Sequence, residues 1–574
     1  VTRTTCNSVS IALAGSGGAG VMTAGNMLLE AAARAGYYGL MTRSSGPQIR
    51  GGEAAAMIRI STAPCDSVDD RYQVLAAVDW GNVPRFAAEL PLDASSLVIG
   101  DPAQGEVPEV FLRSGARSAA VPLKSLAKQV KGGWPNMVAL GLLCGLVGLP
   151  EKALAAAAGK SMKKGGEALE ASLAAARAGM AEAAKLGAGF PLAPPPARSA
   201  RWLITGNQAA GFGAIRGGVR FVAAYPITPA TELLEWMAPS LEKVGGALVQ
   251  AEDELASINM ILGASYGGVP ALTATSGPGL SLMIEALGLG VAAEIPIVVV
   301  DVMRTGPSTG IATKTEQADL NIALYGMHGD APHVVVAPNS VADCVRTTQW
   351  ATHLAEAMQV PAIVLSDQFF GQARAVVERP ADLAFAGERK RAPANAPGYK
   401  RYALTPTGVS PMAIPGTPGV AYTADGLEHS ERGTPSSSAA DHRAQLDKRA
   451  RKLRSMDYGE HWAQIEGEGE LAVITWGSCT GAVREAFARA KQDGIAARLV
   501  SLRLLAPAQP EKLKAALEGV KRALVVEQSH GGQFLRYLRA EYDLPCELAS
   551  FRAPGPLPVR PDEIRARIIE WGRT

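Results

Sequence analysis

Near the start of the chain, short apolar runs bounded by glycine and small polar residues succeed one another: "VSIALAG", "YYGLMTR", "AAAMIRIS", "YQVLAAVDW" and "SSLVIGD". Such runs predict strands, and the Ala-rich stretch around 151 to 187 predicts helix. A second set, "FVAAYPI", "ALTATS", "IPIVVVDVM", "HVVVAP" and "PAIVLSD", alternates with helical segments, the pattern of parallel α/β structure. A third, "LAVITWGS", "ARLVSLRLL", "ALVVEQS" and "CELASFR", repeats that alternation in miniature. Between the first two sets lies "FPLAPPPARSA" (190–200), whose consecutive prolines exclude both helix and central strand. Residues 386–466 turn to Pro, Gly, Ser and charge, predicting a long irregular connection that wraps other domains or has a task of its own.

One helical stretch carries an inward-facing acid. In "VQAEDELASINMILGASYGG" (249–268), Ile258, Ile261 and Leu262 recur at helical spacing, and counting back four from Ile258 puts Glu254 on the same buried face. Glu252 and Asp253 are accounted for by the helix start, where acids meet unpaired amides and the positive end of the dipole. A second unusual stretch is "AYPITPATELLEWM" (224–237). Its prolines hold Thr228 rigidly at a strand's carboxyl end, where open α/β sheets bind ligands; a proline-rich turn that only starts the next helix fits the same residues.

With 574 residues the chain is too long for one core, and three or four domains are expected. Hydrophobic residues at 47% and charged residues at 19% exclude disorder, and a net charge of +2 gives no reason to expect a nucleic-acid partner. The longest apolar stretch, Met137 to Leu149, stops at Pro150, short of the roughly 20 residues that cross a bilayer. With only Arg3 ahead of "VSIALAG", no signal peptide is expected either, so a cytoplasmic location and no membrane contact are the expectation. The six cysteines, at 6, 65, 144, 344, 479 and 546, form no CxxC, so the chain is expected to carry no metal site or iron–sulfur cluster of its own.

"GSGGAG" (15–20) satisfies the dinucleotide fingerprint between a strand and a helix. The acid that would bind a ribose is missing, however; the second strand ends "GLMTRSSG", with Arg43 in its place, leaving open an NADP site, a tight turn, or a tight turn that binds an anion. "RSSGPQIRGGEA" (43–54) is an irregular loop around Arg50 that a core does not demand.

"GNQAAGFGAIRGGVRFVAAYPITPATE", "EDELASINMILGASYGG", "TATSGPGLSLMIEALGLG" and "MRTGPSTGIATKTEQADL", in order from about 203 to 332, together resemble the α subunit of 2-oxoacid:ferredoxin oxidoreductases. "GSGGAGV" and "GPQIRGGEA" resemble the γ subunit of the same enzymes, and the last block resembles a transketolase C-terminal domain. The resemblance implies a multidomain α/β chain, a γ–α fusion: a γ-type catalytic domain at 1–190, a parallel-sheet pyrimidine-binding domain of a thiamine enzyme at 201–385, the extended connection at 386–466 and a transketolase C-terminal-like domain at 467–574.

What the resemblance implies for chemistry is thiamine diphosphate-dependent oxidative decarboxylation of a 2-oxoacid, with coenzyme A taking the acyl group and ferredoxin the electrons. By motif position Glu254 would hydrogen-bond the pyrimidine N1′, with Tyr225 and Thr228 also at the cofactor; Thr228 and Arg304 would meet the substrate carboxylate, a group a guanidinium fork suits. Thr313 would help select the substrate, and Ser45 and Arg50 would reach the pocket from the first block. No Gly-Asp-Gly occurs in the chain, so a β subunit is implied that carries this motif, Mg²⁺, the diphosphate and a [4Fe–4S] cluster, in an (αβ)₂ assembly. "GPSTGIATKTEQ" resembles the 2-oxoglutarate group most; pyruvate, branched or aromatic 2-oxoacids, and a non-catalytic assembly role are the alternatives. The basic stretch 442–454 either holds coenzyme A phosphates or forms a solvated linking helix.

Overall fold

The computed structural model describes residues 5–46, 52–162, 165–197 and 199–573. Its contacts divide into two units, Val1–Thr205 with Gln372–Arg379 and Arg560–Asp562, and Gly206–Gly371 with Pro380–Val559 and Glu563–Thr574.

The first unit is built on an eight-stranded sheet in the order Arg117–Ala120, Leu97–Gly100, Val74–Ala77, Ser8–Ser16, Glu53–Ser61, Tyr38–Ser45, Arg374–Glu378, Arg201–Thr205. The apolar run Met137–Leu149 lies mostly in the buried helix Pro135–Val147, packed on Glu167–Lys185 so closely that a Cβ at Gly141 would stand 1.8 Å from the Ala176 carbonyl oxygen. No described helix is long and apolar enough to cross a membrane.

The topology overturns the dinucleotide reading of "GSGGAG". Such a site needs the second strand paired directly beside the first, whereas here Glu53–Ser61 lies between Ser8–Ser16 and Tyr38–Ser45, antiparallel to both. The loop also meets a carboxylate of its own protein: Ser16 donates from its amide and hydroxyl to Asp79, at 2.9 and 2.6 Å. A phosphate there would face that charge.

The second unit holds two sheets. Strands Val334–Val336, Ala362–Asp367, Val298–Met303, Ala271–Thr275, Phe221–Ala224 and Ala247–Gln250 lie in that order and run parallel, with Ala247–Gln250 at one edge. The other edge is closed by Leu504–Ala506, which arrives antiparallel from the C-terminal block. The smaller sheet runs Ala463–Gly467, Ala497–Leu502, Leu471–Trp476, Arg522–Glu527, Glu547–Arg552. "ARLVSLRLL" therefore supplies strands to both sheets. Between them Arg503, 1% exposed, forms two hydrogen bonds to Asp343, Nε to Oδ2 at 3.0 Å and Nη2 to Oδ1 at 2.9 Å.

Residues 380–438 hold neither helix nor extended strand, and the basic stretch after them is the helix Ala439–Ser455. Neither reading of that stretch holds for its central cations. Lys448, Arg449 and Lys452 are buried on one face, and Lys448 and Lys452 close on Glu294, a fully buried residue past the end of helix Gly277–Ala292. Lys448 Nζ lies 2.5 Å from Glu294 Oε1 and Lys452 Nζ 2.5 Å from Oε2, while Arg401 donates to the Glu294 carbonyl oxygen at 2.8 Å. Burial opposes the charge on Glu294, but Lys452, Lys448 and Arg401 outweigh it and hold the carboxyl far below the ordinary range. The lysines were read as solvated because charge usually is; here one carboxylate desolvated with three cations makes their burial tolerable.

Glu294→Gln strands three buried cations, so the variant is expected to lose about 3–5 kcal/mol at neutral pH by chemical denaturation. With its folded-state pKa depressed, Glu294 contributes its stability in full above the ordinary glutamate value of about 4.3 and loses it progressively as pH falls below that value. The parent–variant difference should therefore narrow in acid; a constant difference down to about pH 2 would remove Glu294 as its cause.

Candidate functional site

Four parallel strands of the larger sheet end side by side and deliver the candidate residues from their carboxyl ends. Phe221–Ala224 leads into Tyr225, 40% exposed, and then into Thr228, which joins Pro229 by a cis peptide bond. Asn207, buried, donates to the Pro229 carbonyl oxygen at 2.9 Å and ties down this turn. Val298–Met303 leads into Arg304, 7% exposed. Arg304 Nη1 donates to the Thr228 carbonyl oxygen at 2.8 Å, and its Nε is buried without a partner among the described residues. Thr228 thus holds the guanidinium by its backbone, leaving Arg304 with N–H groups to offer an anion.

Glu254 opens the helix Glu254–Tyr266 and faces inward with Ser257, Ile258, Ile261, Leu262 and Ser265, the face expected from the spacing. Asp253 is the N-cap, accepting from the Ala256 amide at 2.7 Å, and Glu252 is exposed. The Glu254 side chain lies against the first turn of helix Gly277–Ala292: a Cβ at Gly279 would stand 2.8 Å from Glu254 Oε1 and 2.1 Å from Thr275 Oγ1. Glycine is required there for space. The carboxylate, 8% exposed, accepts no hydrogen bond from any described residue. Its oxygens remain reachable from solvent, so a donor group of a ligand could approach them.

The same helix start joins Glu254 to Arg304. A Cβ at Gly277 would stand 2.6 Å from Asp319 Oδ1, so Asp319 rests on the opposite side of that turn. Burial pushes the Asp319 carboxyl up to about 6, against the opposing effects of its hydrogen bond with Asp301 and the charge of Arg304. Asp301, within its strand and fully buried, is raised well above its ordinary value by burial and by Asp319. Burial of the pair thus favours its neutral form and lessens the negative charge that faces Arg304. Burial in turn lowers the Arg304 pKa, with Asp319 opposing.

Arg304, Glu316 and Asp319 line a cavity of about 490 Å³ together with Gly277, Pro278 and, from the C-terminal block, Ser529 to Gly531 and Gln533. Burial raises the Glu316 pKa, while the Gly555 and Gly306 amides and His530 favour its charged form. Of the sequence candidates Arg304 lines this cavity; Thr228 is joined to Arg304 through its carbonyl oxygen, Glu254 lies against the same helix start at Gly279, and Tyr225 follows the strand that leads to Thr228. Thr313 is half-buried in a turn of the same segment as Arg304 but does not line this cavity. Ser45 ends a strand of the first unit, and Arg50 lies outside the described residues. Sequence reasoning missed Asp301, Glu316 and Asp319 as site residues, although "TKTEQAD" displays two of them; what makes them matter is contact with Gly277, Gly306 and residues past 500. Among the described residues no group of three His, Cys, Asp or Glu side chains could hold a metal ion.

Residues 212–448 match the family described as "Pyruvate flavodoxin/ferredoxin oxidoreductase, thiamine diP-bdg", residues 10–182 that described as "Pyruvate ferredoxin/flavodoxin oxidoreductase", and residues 460–533 the transketolase C-terminal domain. The 2-oxoglutarate synthase subunit KorA of Methanothermobacter marburgensis is 34% identical over 64% of this chain and 98% of its own length. The 2-oxoglutarate oxidoreductase subunit KorA of Mycobacterium tuberculosis is 31% identical over 94% of this chain and 88% of its own. A solved structure of 2-oxoglutarate:ferredoxin oxidoreductase from Magnetococcus marinus, with 2-oxoglutarate, coenzyme A and succinyl-CoA bound, superposes with a TM-score of 0.92 at 37% identity, covering 98% of this chain and 99% of that one. With a γ-type region, a thiamine-binding region and a transketolase C-terminal domain in one polypeptide, the chain belongs to the 2-oxoacid:ferredoxin oxidoreductases, as a fused γ–α subunit.

Proposed function

We propose that this chain is the fused γ–α subunit of a thiamine-dependent 2-oxoglutarate:ferredoxin oxidoreductase, which converts 2-oxoglutarate and coenzyme A to succinyl-CoA and CO₂, reversibly, with reduction of ferredoxin. The observation that carries this is Glu254: a carboxylate with no donor among the described residues, packed against Gly279, two residues along the same helix start from Gly277, where Asp319 rests. Such a carboxylate fits an aminopyrimidine nitrogen, and a side chain at Gly279 would fill the space beside it. Thiamine diphosphate, when bound, supplies the carbon nucleophile and the electron sink for loss of CO₂.

The chain's own residues then divide the work. Glu254 holds a proton at the pyrimidine N1′ and passes it as general acid and base. Tyr225 and Thr228 border the cofactor at their strand end. Arg304, fixed by Thr228, binds the carboxylate beside the keto carbon through its remaining N–H groups, and Thr228 helps orient it. Burial that favours the neutral form of the Asp301–Asp319 pair lessens the carboxylate charge that would compete with the substrate for Arg304. Thr313, Ser45 and Arg50 are further substrate contacts in this reading.

The surface around Glu254 supports a second subunit. Leu255 and Leu282, each 50% exposed, with Met260, Tyr225 and Val249, put large apolar side chains in solvent on the elements that carry the site, and Ala247–Gln250 leaves a sheet edge exposed. A β subunit covering this face brings the Gly-Asp-Gly motif, Mg²⁺, the diphosphate contacts and the [4Fe–4S] cluster; the assembly is (αβ)₂, cytoplasmic, and delivers electrons to ferredoxin.

In the assembled complex Glu254→Gln should preserve assembly and lower turnover by a factor on the order of 10² or more, read by viologen reduction; activity within about threefold of the parent would move the proton-handling role elsewhere. Arg304→Lys replaces a fork by a point charge, so kcat/KM should fall ~10- to 100-fold for 2-oxoglutarate and pyruvate alike, and a loss confined to one acid would reassign Arg304 to the distal end of the substrate. The parent should prefer 2-oxoglutarate; a preference for pyruvate in the same assay refutes the substrate assignment.

A further inference from the structure

Residues 304–319, which carry Arg304, Glu316 and Asp319, form a loop between the strand Val298–Met303 and the short helix Leu320–Tyr325. A loop of this length usually wanders over a surface. This one is clamped. Its middle is closed on itself, the Thr305 amide donating to the Lys314 carbonyl at 3.0 Å and the Ile311 amide to that of Thr305 at 3.0 Å. Its far end is inserted into the C-terminal sheet through a single side chain, Gln317, 1% exposed.

Gln317 meets the C-terminal block mainly through main chain, with one side-chain contact, Cys479 Sγ donating to its Oε1 at 3.5 Å. Nε2 donates to the Trp476 carbonyl at 2.8 Å, Oε1 accepts the Gln528 amide at 2.7 Å, and the Gln317 amide donates to the Gln528 carbonyl at 2.9 Å. Trp476 and Gln528 stand at the carboxyl ends of two adjacent parallel strands, Leu471–Trp476 and Arg522–Glu527. Gly477 follows at φ 61, and a Cβ there would lie 2.7 Å from Gln317 Nε2, so the receiving side is shaped to this amide. The C-terminal block also reaches back: Gln533 Nε2 donates to the Ala318 carbonyl at 2.9 Å and its Oε1 accepts the Asn321 amide at 2.9 Å.

We propose that Gln317 is a positioning residue for the reaction, through which the transketolase-type C-terminal domain sets the place of the loop that bears Arg304, Glu316 and Asp319. The inference rests on the assignment of Arg304 to the substrate carboxylate. Gln317 itself touches no reacting atom. Its immediate neighbours are Glu316 and, two residues on, Asp319, whose charge faces Arg304 and whose carboxylate seats on the start of helix Gly277–Ala292. A domain without any of the proposed catalytic side chains thereby controls how well the substrate is held.

The test uses the assembled complex with its partner subunit. Gln317→Met keeps the volume and removes the side-chain amide's hydrogen bonds to Trp476, Gln528 and Cys479; it should raise KM for 2-oxoglutarate about tenfold while kcat stays within about threefold, with thiamine diphosphate affinity unchanged because Glu254 lies on another element. In an Arg304→Lys background the same substitution should change KM less than about twofold, since the interaction it supports is already lost. Gly477→Ala, which crowds Gln317 from the receiving side only, should act in the same direction and decides the matter by the same criteria if Gln317→Met does not assemble. A parental KM in Gln317→Met overturns the proposal, as does a KM increase of equal size in the Arg304→Lys background, which would make Gln317 merely structural. A parental KM in Arg304→Lys alone overturns instead the assignment of Arg304, and with it the route proposed for Gln317.

Discussion

The two sheets of the second unit are tied together, because one continuous stretch of chain supplies a strand to each and a buried ion pair stands at the crossing. Leu504–Ala506 closes the larger sheet while its neighbour Ala497–Leu502 lies in the smaller one, and Arg503 between them is bound by two hydrogen bonds to Asp343 and donates a third to the His461 carbonyl at 2.7 Å. Desolvating that guanidinium is costly, and only near-complete hydrogen bonding with a carboxylate in register makes it tolerable. The consequence is geometric: the loop after Val298–Met303 is fixed from both sides, and Arg304 inherits its position from a domain that contributes no proposed catalytic group.

Two buried glutamates in this unit show opposite uses of the same chemistry. Glu294 is surrounded by Lys448, Lys452 and Arg401, so its charge is compensated several times over and its role is to hold the connection 386–466 against the helix Gly277–Ala292. Glu254, near the other end of that helix, has no donor among the described residues. The first is complete within the fold. The second is incomplete, and incompleteness of a buried charge is the property that a ligand satisfies. Between them the Asp301–Asp319 pair takes a third course, burial raising both pKa values and so favouring the neutral form.

Several elements of the site were legible because they depend on neighbours in sequence. The inward face of Glu254 follows from the spacing to Ile258, Ile261 and Leu262, and the capping role of Asp253 from its place before a helical run. Where local pattern met a distant contact, it misled. "GSGGAG" has the glycines of a nucleotide loop, but the strand order that would make it one is set by antiparallel pairing over residues 8 to 61 and by Asp79. The lysines of Ala439–Ser455 look solvated until Glu294, over 150 positions earlier, is placed among them.

By itself the sequence determined the strands and helices, the face on which Glu254 lies, and, through four motifs in order, the family and its chemistry. Those properties are short-ranged: hydrophobic period, capping and turn residues act over a few positions, and a motif is read where it stands. Only the tertiary structure decided that Thr228 holds Arg304 by its carbonyl oxygen, that Asp301 and Asp319 are brought together where burial raises both pKa values, and that Gln317 ends against Trp476 and Gln528. Each of these is a contact between segments far apart in the chain, and its energy depends on burial, which no run of neighbouring residues encodes.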